Sequence, residues 1–444
     1  MAADQERVWS PSPTPTYETE EPISTTEPTA PAEAKYALPG EAVCNLKAEP
    51  PSAPSKESDT ALYTRRRSGN ITGQGGPSIQ QVYNRYLDDP SVVRSTKTLL
   101  AYRSAYGRLI ELISPEMPIK AITREVCRDV LDTLRYLPPN ATKRYPRLSG
   151  REAAIRARAE GLAPISALTI NGHIQKLSAL LTWAVNEGYI DRNPARGLKV
   201  IDKVRRKDKR YPFSSEQLSL IFNAPLYRGC QDDGPGYAQP GPNRPRRGRF
   251  WVPLIGLFSG MRLNEICQLD LADVRLIDGI NCFVVTAGGL DCPTDKRLKT
   301  ENAERVVPIH PSLVGMGFLD YVQARRVNRD AKLFPELPIA CTGYYSDTFS
   351  KWFANFLQKT GAKAPRTSFH SFRHNFRDAL REARVEKEVA YALGGWAGDG
   401  PDDGSATAEN YGRGFSIATL EEAVAKVNYP DLNLGYLISL HAAV

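Results

Sequence analysis

Apolar side chains at helical spacing dominate the chain from Ser78 onward and restrict what it can fold into. In four stretches they recur every three or four residues, which places them on one face of an α-helix. Each apolar face must be covered, so the four stretches predict a helical unit with a shared core. The stripes are Ile79, Val82, Tyr83 and Tyr86; Leu99, Tyr102, Tyr106, Leu109 and Ile110; Val126, Val130, Leu131 and Leu134; and Ile170, Ile174, Leu177, Leu180 and Leu181.

Two stretches have the composition of β-strands. Residues 279–286 and 305–309 are rich in β-branched and aromatic side chains. A helix is predicted to begin after Ser214, which forms a capping box with Gln217, and a buried helix is predicted over 250–258. We therefore expect a mainly α fold with a small β-sheet, in the α+β class.

The first 76 residues differ from the rest of the chain. They are rich in Pro, Ser, Thr and Glu without apolar periodicity, so residues 1–76 are expected to be disordered. Residues 1–60 hold eleven acidic and four basic residues, a net charge of −7, whereas the whole chain carries +8. The remainder therefore carries +15, which suits a protein that binds the phosphates of DNA. Simple solubility is the alternative explanation of this charge.

Composition argues against several classes of protein. No stretch is long and apolar enough to cross a membrane, and the start of the chain lacks the pattern of a secretory signal. The seven cysteines are scattered without CxxC pairs or the spacing of metal ligands, so we expect reduced thiols and no metal. A soluble, cytoplasmic protein is predicted. Its 444 residues are enough for two or three domains.

Two basic segments are candidates for contact with the DNA backbone. The first is a predicted loop between the third and fourth helical stripes, and the second is a run over residues 203–210 that reads as a tether between two compact regions. Charge that is merely solvated is the alternative for both segments. The candidate residues are Arg144, Arg147 and Arg151 in the first segment and Arg205, Arg206 and Lys207 in the second.

Cationic side chains also occur in two spaced motifs of the second half. His370 and Arg373 are three residues apart in Ser-Phe-His-Ser-Phe-Arg, so they share one helix face, which suits a phosphate. Arg262 and Glu265 share a helix face shortly after a Ser-Gly pair that permits a sharp turn. A structural ion pair is the alternative explanation for Arg262 and Glu265.

Three further positions complete a pattern. Lys299 precedes a threonine between the two predicted strands, Trp396 follows a Gly-Gly pair, and Tyr411 ends the run Thr-Ala-Glu-Asn-Tyr. Alone they could be an exposed lysine and two core aromatics. Together with the arginines and the histidine, they resemble the active site of the tyrosine recombinases, the phage integrase family, whose substrate is a DNA phosphodiester. The resemblance extends over about residues 78–427.

The resemblance implies a domain order as well as a fold. A helical core-binding domain that contacts DNA would be followed by a tyrosine-recombinase catalytic domain, with a basic linker between them. The implied boundaries are 1–76 for the acidic segment, 77–200 for the core-binding domain, 201–212 for the linker, 213–427 for the catalytic domain and 428–444 for a C-terminal tail.

The resemblance also implies roles for these residues. Two arginines would hold the phosphate oxygens, and a glutamate would orient the first arginine. A tyrosine would attack the phosphorus, a histidine would accept the tyrosine proton or donate to a phosphate oxygen, and a lysine would protonate the departing 5′ oxygen, without a metal or cofactor. The implied catalytic residues are Arg262, Lys299, His370, Arg373, Trp396 and Tyr411, with Glu265 in support.

The expected function is that of a site-specific DNA recombinase or integrase that cuts and rejoins strands through a 3′-phosphotyrosine. Its expected partner is double-stranded DNA, on which family members assemble as homo-tetramers. A type IB topoisomerase and a non-catalytic DNA-binding protein with a decayed site are the alternatives. The apolar residues 429–444 would dock on a neighbouring protomer or pack on their own domain.

Overall fold

The fold is that of a computed structural model, which describes only part of the chain. The described residues are 76–205, 208–288, 295–298, 303–396 and 414–442, with side chains to residue 438. The segment predicted to be disordered lies outside them except for Gly76, as do Arg206, Lys207, Lys299 and Tyr411. The described residues all belong to one compact unit, Asn70–Val444.

A helical bundle forms the first part of this unit. Its helices are α1 (Ile79–Leu87), α2 (Thr96–Ile113), α3 (Arg124–Leu134), α4 (Ala141–Arg144), α5 (Gly150–Ala159) and α6 (Ala167–Asn186). The four apolar stripes fall in α1, α2, α3 and α6, and most of their residues line one core. A side-chain oxygen caps five of the helices, which fixes where each begins. The capping residues are Ser78, Ser95, Thr123, Ser149 and Ser166.

The predicted loop between the third and fourth stripes is wrong, because α4 and α5 occupy it. Ser149 begins α5 with a capping box to Glu152, and Ala153 and Ala154 turn into the core. Alanine and arginine make up much of this helix. Its apolar face therefore lacks large side chains, and periodicity alone does not reveal it.

The second part of the unit surrounds a separate core. Its helices are α7 (Ser215–Phe222), α8 (Pro225–Arg228), α9 (Gly248–Ser259), α10 (Leu263–Cys267), α11 (Pro311–Gly315), α12 (Phe318–Val327), α13 (Ser346–Lys359), α14 (His370–Glu382), α15 (Lys387–Gly394), α16 (Ile417–Ala425) and α17 (Gly435–Ala442). The capping box of Ser214 and Gln217 is present at the start of α7. In α9 every residue except Arg249 is buried, which confirms the predicted buried helix.

A three-stranded antiparallel sheet lies beside these helices. Its strands are β1 (Val274–Ile277), β2 (Ile280–Val285) and β3 (Arg305–Pro308), in the order β1-β2-β3. The register pairs Val274 with Phe283 and Phe283 with Val307. β2 and β3 were predicted, whereas β1 was not. The Asp-Gly pair at 278–279, with φ of 50° and 79°, forms a tight hairpin turn that would have indicated β1.

The segments at both ends of the second part are held against its core by hydrogen bonds and by burial. At the start, Phe213 exchanges two backbone hydrogen bonds with the Asn375 side chain in α14, at 2.9 and 2.8 Å. At the end, Leu434 and Leu437 are buried in the same core. The Tyr429 hydroxyl donates to the Leu257 carbonyl oxygen at 2.8 Å. Of the two alternatives for the tail, packing on its own domain is the one that the structure contains.

None of the described helices has the length and apolar character needed to cross a membrane.

Candidate active site

Arg262 lies at the start of α10, where a glycine turn places it. α9 ends at Gly260, whose φ of 61° is left-handed, and a Cβ there would run into the ring of Phe376. Arg262 Nη1 donates to Glu265 Oε1 at 2.6 Å. The Arg262 backbone N–H donates to Glu265 Oε2 at 2.9 Å. The structure therefore contains the expected contact between Arg262 and Glu265.

Glu265 is a buried carboxylate, with 3% of its side chain exposed. Burial by itself would raise the pKa of this carboxyl. The guanidiniums of Arg305 and Arg262, with the hydrogen bonds that they donate, hold the pKa below its usual value. Glu265 is consequently an anion at neutral pH and can orient a cation beside it.

Arg373 approaches Arg262 from α14. Its Nη1 donates to the Gly260 carbonyl oxygen at 2.7 Å, and its Nη2 lies 3.5 Å from the Gly395 carbonyl oxygen. Arg262 Nη2 lies 3.3 Å from that same Gly395 oxygen. Burial, followed by repulsion from Arg262, lowers the pKa of Arg373 to about 9, so it remains a cation at neutral pH. Two guanidiniums from separate helices thus converge on one oxygen.

His370 lies three residues before Arg373 on α14. Burial, followed by the nearby charge of Arg210, lowers the pKa of His370 to about 3. The imidazole is therefore neutral at neutral pH, and an anion bound beside it would raise its pKa and make it a better proton acceptor. His374 packs beside it, with the two ring centroids 5.2 Å apart.

Trp396 packs against two arginines. The guanidinium carbon of Arg373 lies 4.6 Å from the ring centroid, and that of Arg377 lies 5.3 Å from it. The ring covers Gly394, where a Cβ would overlap it. Trp396 also packs against the apolar core. The ring is therefore both a core contact and a neighbour of the cationic pair.

Two predicted residues, Lys299 and Tyr411, lie outside the described residues. The nearby Lys296 is described and is held by carboxylates. Its Nζ lies 2.9 and 3.0 Å from the two carboxylate oxygens of Asp273 and 3.0 Å from Asp270. These ion pairs hold the Lys296 ammonium against Asp270 and Asp273, which disfavours it as an alternative to the predicted Lys299.

Arg305, the first residue of β3, is a neighbour of the site that the sequence reasoning missed. Its Nη2 donates to Glu265 Oε2 at 2.8 Å, and its Nε donates to the Leu393 carbonyl oxygen at 2.9 Å. From the sequence, Arg305 is predicted only to lie in a strand. A signal was available, because an arginine that begins an apolar, buried strand needs an anionic partner.

The site as a whole is cationic. Arg262, Arg305 and Arg373 surround one carboxylate, and this excess of positive charge suits a phosphodiester. Within the described ranges, no group of three or more His, Cys, Asp and Glu side chains is placed to hold a metal ion.

The residues predicted to bind DNA differ in their surroundings. Arg144 and Arg147 are exposed. Arg151 is also exposed, but it pairs with Asp129 and donates to the Leu112 carbonyl oxygen at 2.7 Å. Arg205 is exposed but paired with Asp208 at 2.7 Å. Arg206 and Lys207 lie outside the described residues.

Two parts of the sequence match protein families. Residues 253–400 match the phage integrase family, and residues 78–201 match the phage integrase SAM-like domain. The chain belongs to the phage integrase family of tyrosine recombinases. It is accordingly a site-specific recombinase, an enzyme that cuts and rejoins DNA, and the topoisomerase alternative is not favoured. No curated protein matches the chain.

Several solved structures are similar to the chain at low sequence identity. The Tn1549 transposon integrase in complex with transposon right end DNA is 16% identical, with a TM-score of 0.48, over 78% of this chain and 98% of that one. A lambda integrase dimer bound to a COC′ core site is 17% identical, with a TM-score of 0.46, over 81% and 83%. A lambda integrase tetramer bound to a Holliday junction is 16% identical, with a TM-score of 0.46, over 78% and 80%.

Proposed function

We propose that this recombinase holds the scissile phosphate between Arg262 and Arg373 and cleaves it with Tyr411. The supporting observation is that both guanidiniums point at the Gly395 carbonyl oxygen, at 3.3 and 3.5 Å. These distances exceed those of strong charged hydrogen bonds, so a phosphate oxygen can replace the carbonyl as their acceptor. Cations placed in this way stabilise the charge that grows on the non-bridging oxygens in the transition state.

The proposed cleavage step moves two protons. As the Tyr411 oxygen bonds to phosphorus, neutral His370 accepts the hydroxyl proton. The bond from phosphorus to the 5′ oxygen breaks, and Lys299 donates a proton to that oxygen. The product is a 3′-phosphotyrosyl link and a free 5′ hydroxyl. Attack of a 5′ hydroxyl on the link reverses these steps and rejoins a strand.

Trp396 and Glu265 support this step without reacting. The indole N–H of Trp396 is proposed to donate to a phosphate oxygen while the ring stays packed on Arg373, at 4.6 Å from its guanidinium carbon. Glu265 accepts from the Arg262 backbone N–H at 2.9 Å and from its Nη1 at 2.6 Å, and the second bond orients the guanidinium.

The proposal extends to the partners. Arg144, Arg147, Arg151 and Arg205 are proposed to contact the backbone of double-stranded DNA together with Arg206 and Lys207. The exposure of these four described arginines supports the assignment. Assembly as a homo-tetramer on DNA, and action in the cytoplasm, are proposed from the resemblance to other tyrosine recombinases.

The test uses a nicked duplex that contains the recombination site, identified from the direct repeats that flank the gene. Loss of the short fragment after cleavage traps the covalent protein–DNA adduct. Tyr411→Phe should bind this duplex normally and form no adduct, because only the hydroxyl is removed. Tyr237→Phe, a substitution of a buried tyrosine in the 227–249 segment, is the matched control and should form adduct at the wild-type rate. Adduct formation by Tyr411→Phe would refute the assignment of the nucleophile.

A further inference from the structure

Arg305 connects separate parts of the site with one buried side chain, of which 6% is exposed. Its Nη2 donates to Glu265 in α10, and its Nε donates to the Leu393 carbonyl oxygen in α15. Its Nη1 donates to the Ala303 carbonyl oxygen at 2.8 Å, next to its own strand. The planar fork of a guanidinium suits these divergent bonds, which a lysine could not reproduce.

The contact with Glu265 determines how that carboxylate meets Arg262. Glu265 Oε2 accepts from both the Arg305 guanidinium and the Arg262 backbone N–H, while Oε1 accepts from Arg262 Nη1. Arg305 therefore fixes the rotation of the carboxylate about its last bond. Without Arg305, the same oxygen would keep only one donor, and the direction of Arg262 would be less well defined.

The second contact of Arg305 reaches the turn before Trp396. Gly395 has a left-handed φ of 57°, and a Cβ there would lie 3.1 Å from Arg305 Nη1. The side chain thus lies against the backbone whose carbonyl oxygen accepts from Arg262 and Arg373. One arginine consequently supports both the glutamate beside Arg262 and the turn beside Arg373.

We infer that Arg305 is a positioning residue for strand cleavage: it holds Glu265, and through it Arg262, and it fixes the turn at Gly395. The inference rests on the proposed phosphate-binding role of Arg262. Arg305 itself touches neither the phosphate nor the nucleophile in this scheme.

The effect of the Arg305 charge on the pKa of Glu265 distinguishes a positioning role from simple packing. The charged groups that face Glu265 are Arg262, Arg305 and Arg373, and Arg305 contributes most to keeping the carboxyl ionised. With Arg305 removed, burial raises the Glu265 pKa toward neutral pH. A protonated Glu265 no longer holds Arg262 as an anion does. As the pH is lowered, the cleavage rate of a variant without Arg305 should therefore begin to fall at a higher pH than the wild-type rate does.

The experiment measures the single-turnover rate of adduct formation on the nicked duplex from pH 4 to 8, with the dissociation constant for the duplex alongside. Arg305→Met should lower the rate at neutral pH by about tenfold or more, as loss of a preorganising contact does, and leave the dissociation constant within about threefold. Its acid limb should move up by about one pH unit, the scale of a single lost ion-pair partner. Arg305→Lys should keep the wild-type acid limb, because the charge remains, but lose part of the rate.

Arg246→Met is the matched control. Arg246 donates to the carbonyl oxygens of Met316 and Leu437, at 2.6 and 3.2 Å, and it does not contact Arg262, Glu265 or Arg373. Its loss should lower the melting temperature without changing the rate or its pH profile. If Arg305→Met does not fold, the cleavage rate of Arg305→Lys tests the inference instead. A wild-type rate for Arg305→Lys then overturns the inference.

The remaining outcomes are distinguishable. A wild-type rate for Arg305→Met overturns the inference, and so does a reduced rate with an unshifted acid limb that Arg246→Met reproduces. Arg262→Ala is measured beside them. If Arg262→Ala forms adduct at the wild-type rate, the proposed function fails, whereas an inactive Arg262→Ala with an unimpaired Arg305→Met refutes only the inference about Arg305.

Discussion

His370 shows how a single side chain is adjusted by its surroundings. Burial and the charges of Arg210, His374, Arg373 and Arg262 all disfavour its protonated form. The same shift must appear in the stability of the protein. The unfolded chain binds a proton at this histidine near pH 6.5, whereas the folded chain does so only near pH 3. Stability is therefore lost as the pH falls from 6.5 toward 3.

We predict that His370→Gln removes this part of the pH dependence. Between pH 7 and pH 5 the free energy of unfolding of the wild type should fall by up to about 2 kcal/mol more than that of the variant, at about 1.4 kcal/mol for each pH unit below 6.5. Urea unfolding followed by circular dichroism at the two pH values measures the difference. Equal losses in the two proteins would show that His370 titrates normally in the folded state.

Among the individual residues of the site, the sequence predicted the contact between near neighbours in the chain but not the contact between residues far apart in the chain. The contact between Arg262 and Glu265 follows from their spacing, because residues three apart on a helix are neighbours. The contact between Arg305 and Glu265 joins residues forty positions apart. It depends on how β3 packs beside α10, which no local pattern contains.

Among the helices and strands, the end of α15 restricts the sequence most, because it leaves no room for a side chain at Gly394. Gly394 is helical, and the ring of Trp396 occupies the space that a Cβ would need. An alanine at this position must displace a rigid indole ring, and that ring also covers Arg373. The absence of a side chain at Gly394 is therefore required by the aromatic residue two positions later.

We predict that Gly394→Ala slows adduct formation by about tenfold or more, because the displaced indole no longer packs on Arg373. Gly315→Ala is the matched control, since Gly315 is also in a helix and a Cβ there meets only Ile438 atoms at 3.6 Å or more. That substitution should be neutral or stabilise by up to about 1 kcal/mol. Melting temperatures and adduct rates of both variants provide the measurement, and equal behaviour of the two would contradict this account.

Elements were predictable from the sequence in proportion to the strength of their patterns. The helices with large apolar stripes and the buried α9 were found, as was the capping box at α7. α5 was missed because alanine forms its buried face. β1 was missed because a four-residue strand with two exposed positions has almost no pattern of its own.

For the whole molecule, the tail is part of the fold rather than an appendage. Leu434 and Leu437 are buried in the core of the second part, and each contributes roughly 1.5–3 kcal/mol when fully buried. Tyr429 adds a hydrogen bond to Leu257 in α9. The sequence left this placement open, because an apolar stretch at a terminus does not reveal which surface covers it.

We predict that truncation after Lys426 lowers the melting temperature strongly or makes the protein insoluble. The matched control ends the chain after Ile438, which keeps every described side chain of the tail. This longer form should melt close to the wild type. If truncation after Lys426 leaves the melting temperature unchanged and removes only assembly on DNA, then the tail acts between protomers instead.

The burial of α9 limits which parts of the protein can switch the reaction on or off. A helix enclosed by the core exposes its backbone amides only when the whole domain opens, so its hydrogen exchange should report global unfolding. The Gly260 carbonyl at the end of that helix accepts from Arg373, and Arg262 follows two residues later. The placement of Arg262 and Arg373 is therefore tied to the buried end of α9. We expect any switch between cleaving and inactive states to act on other parts of the protein.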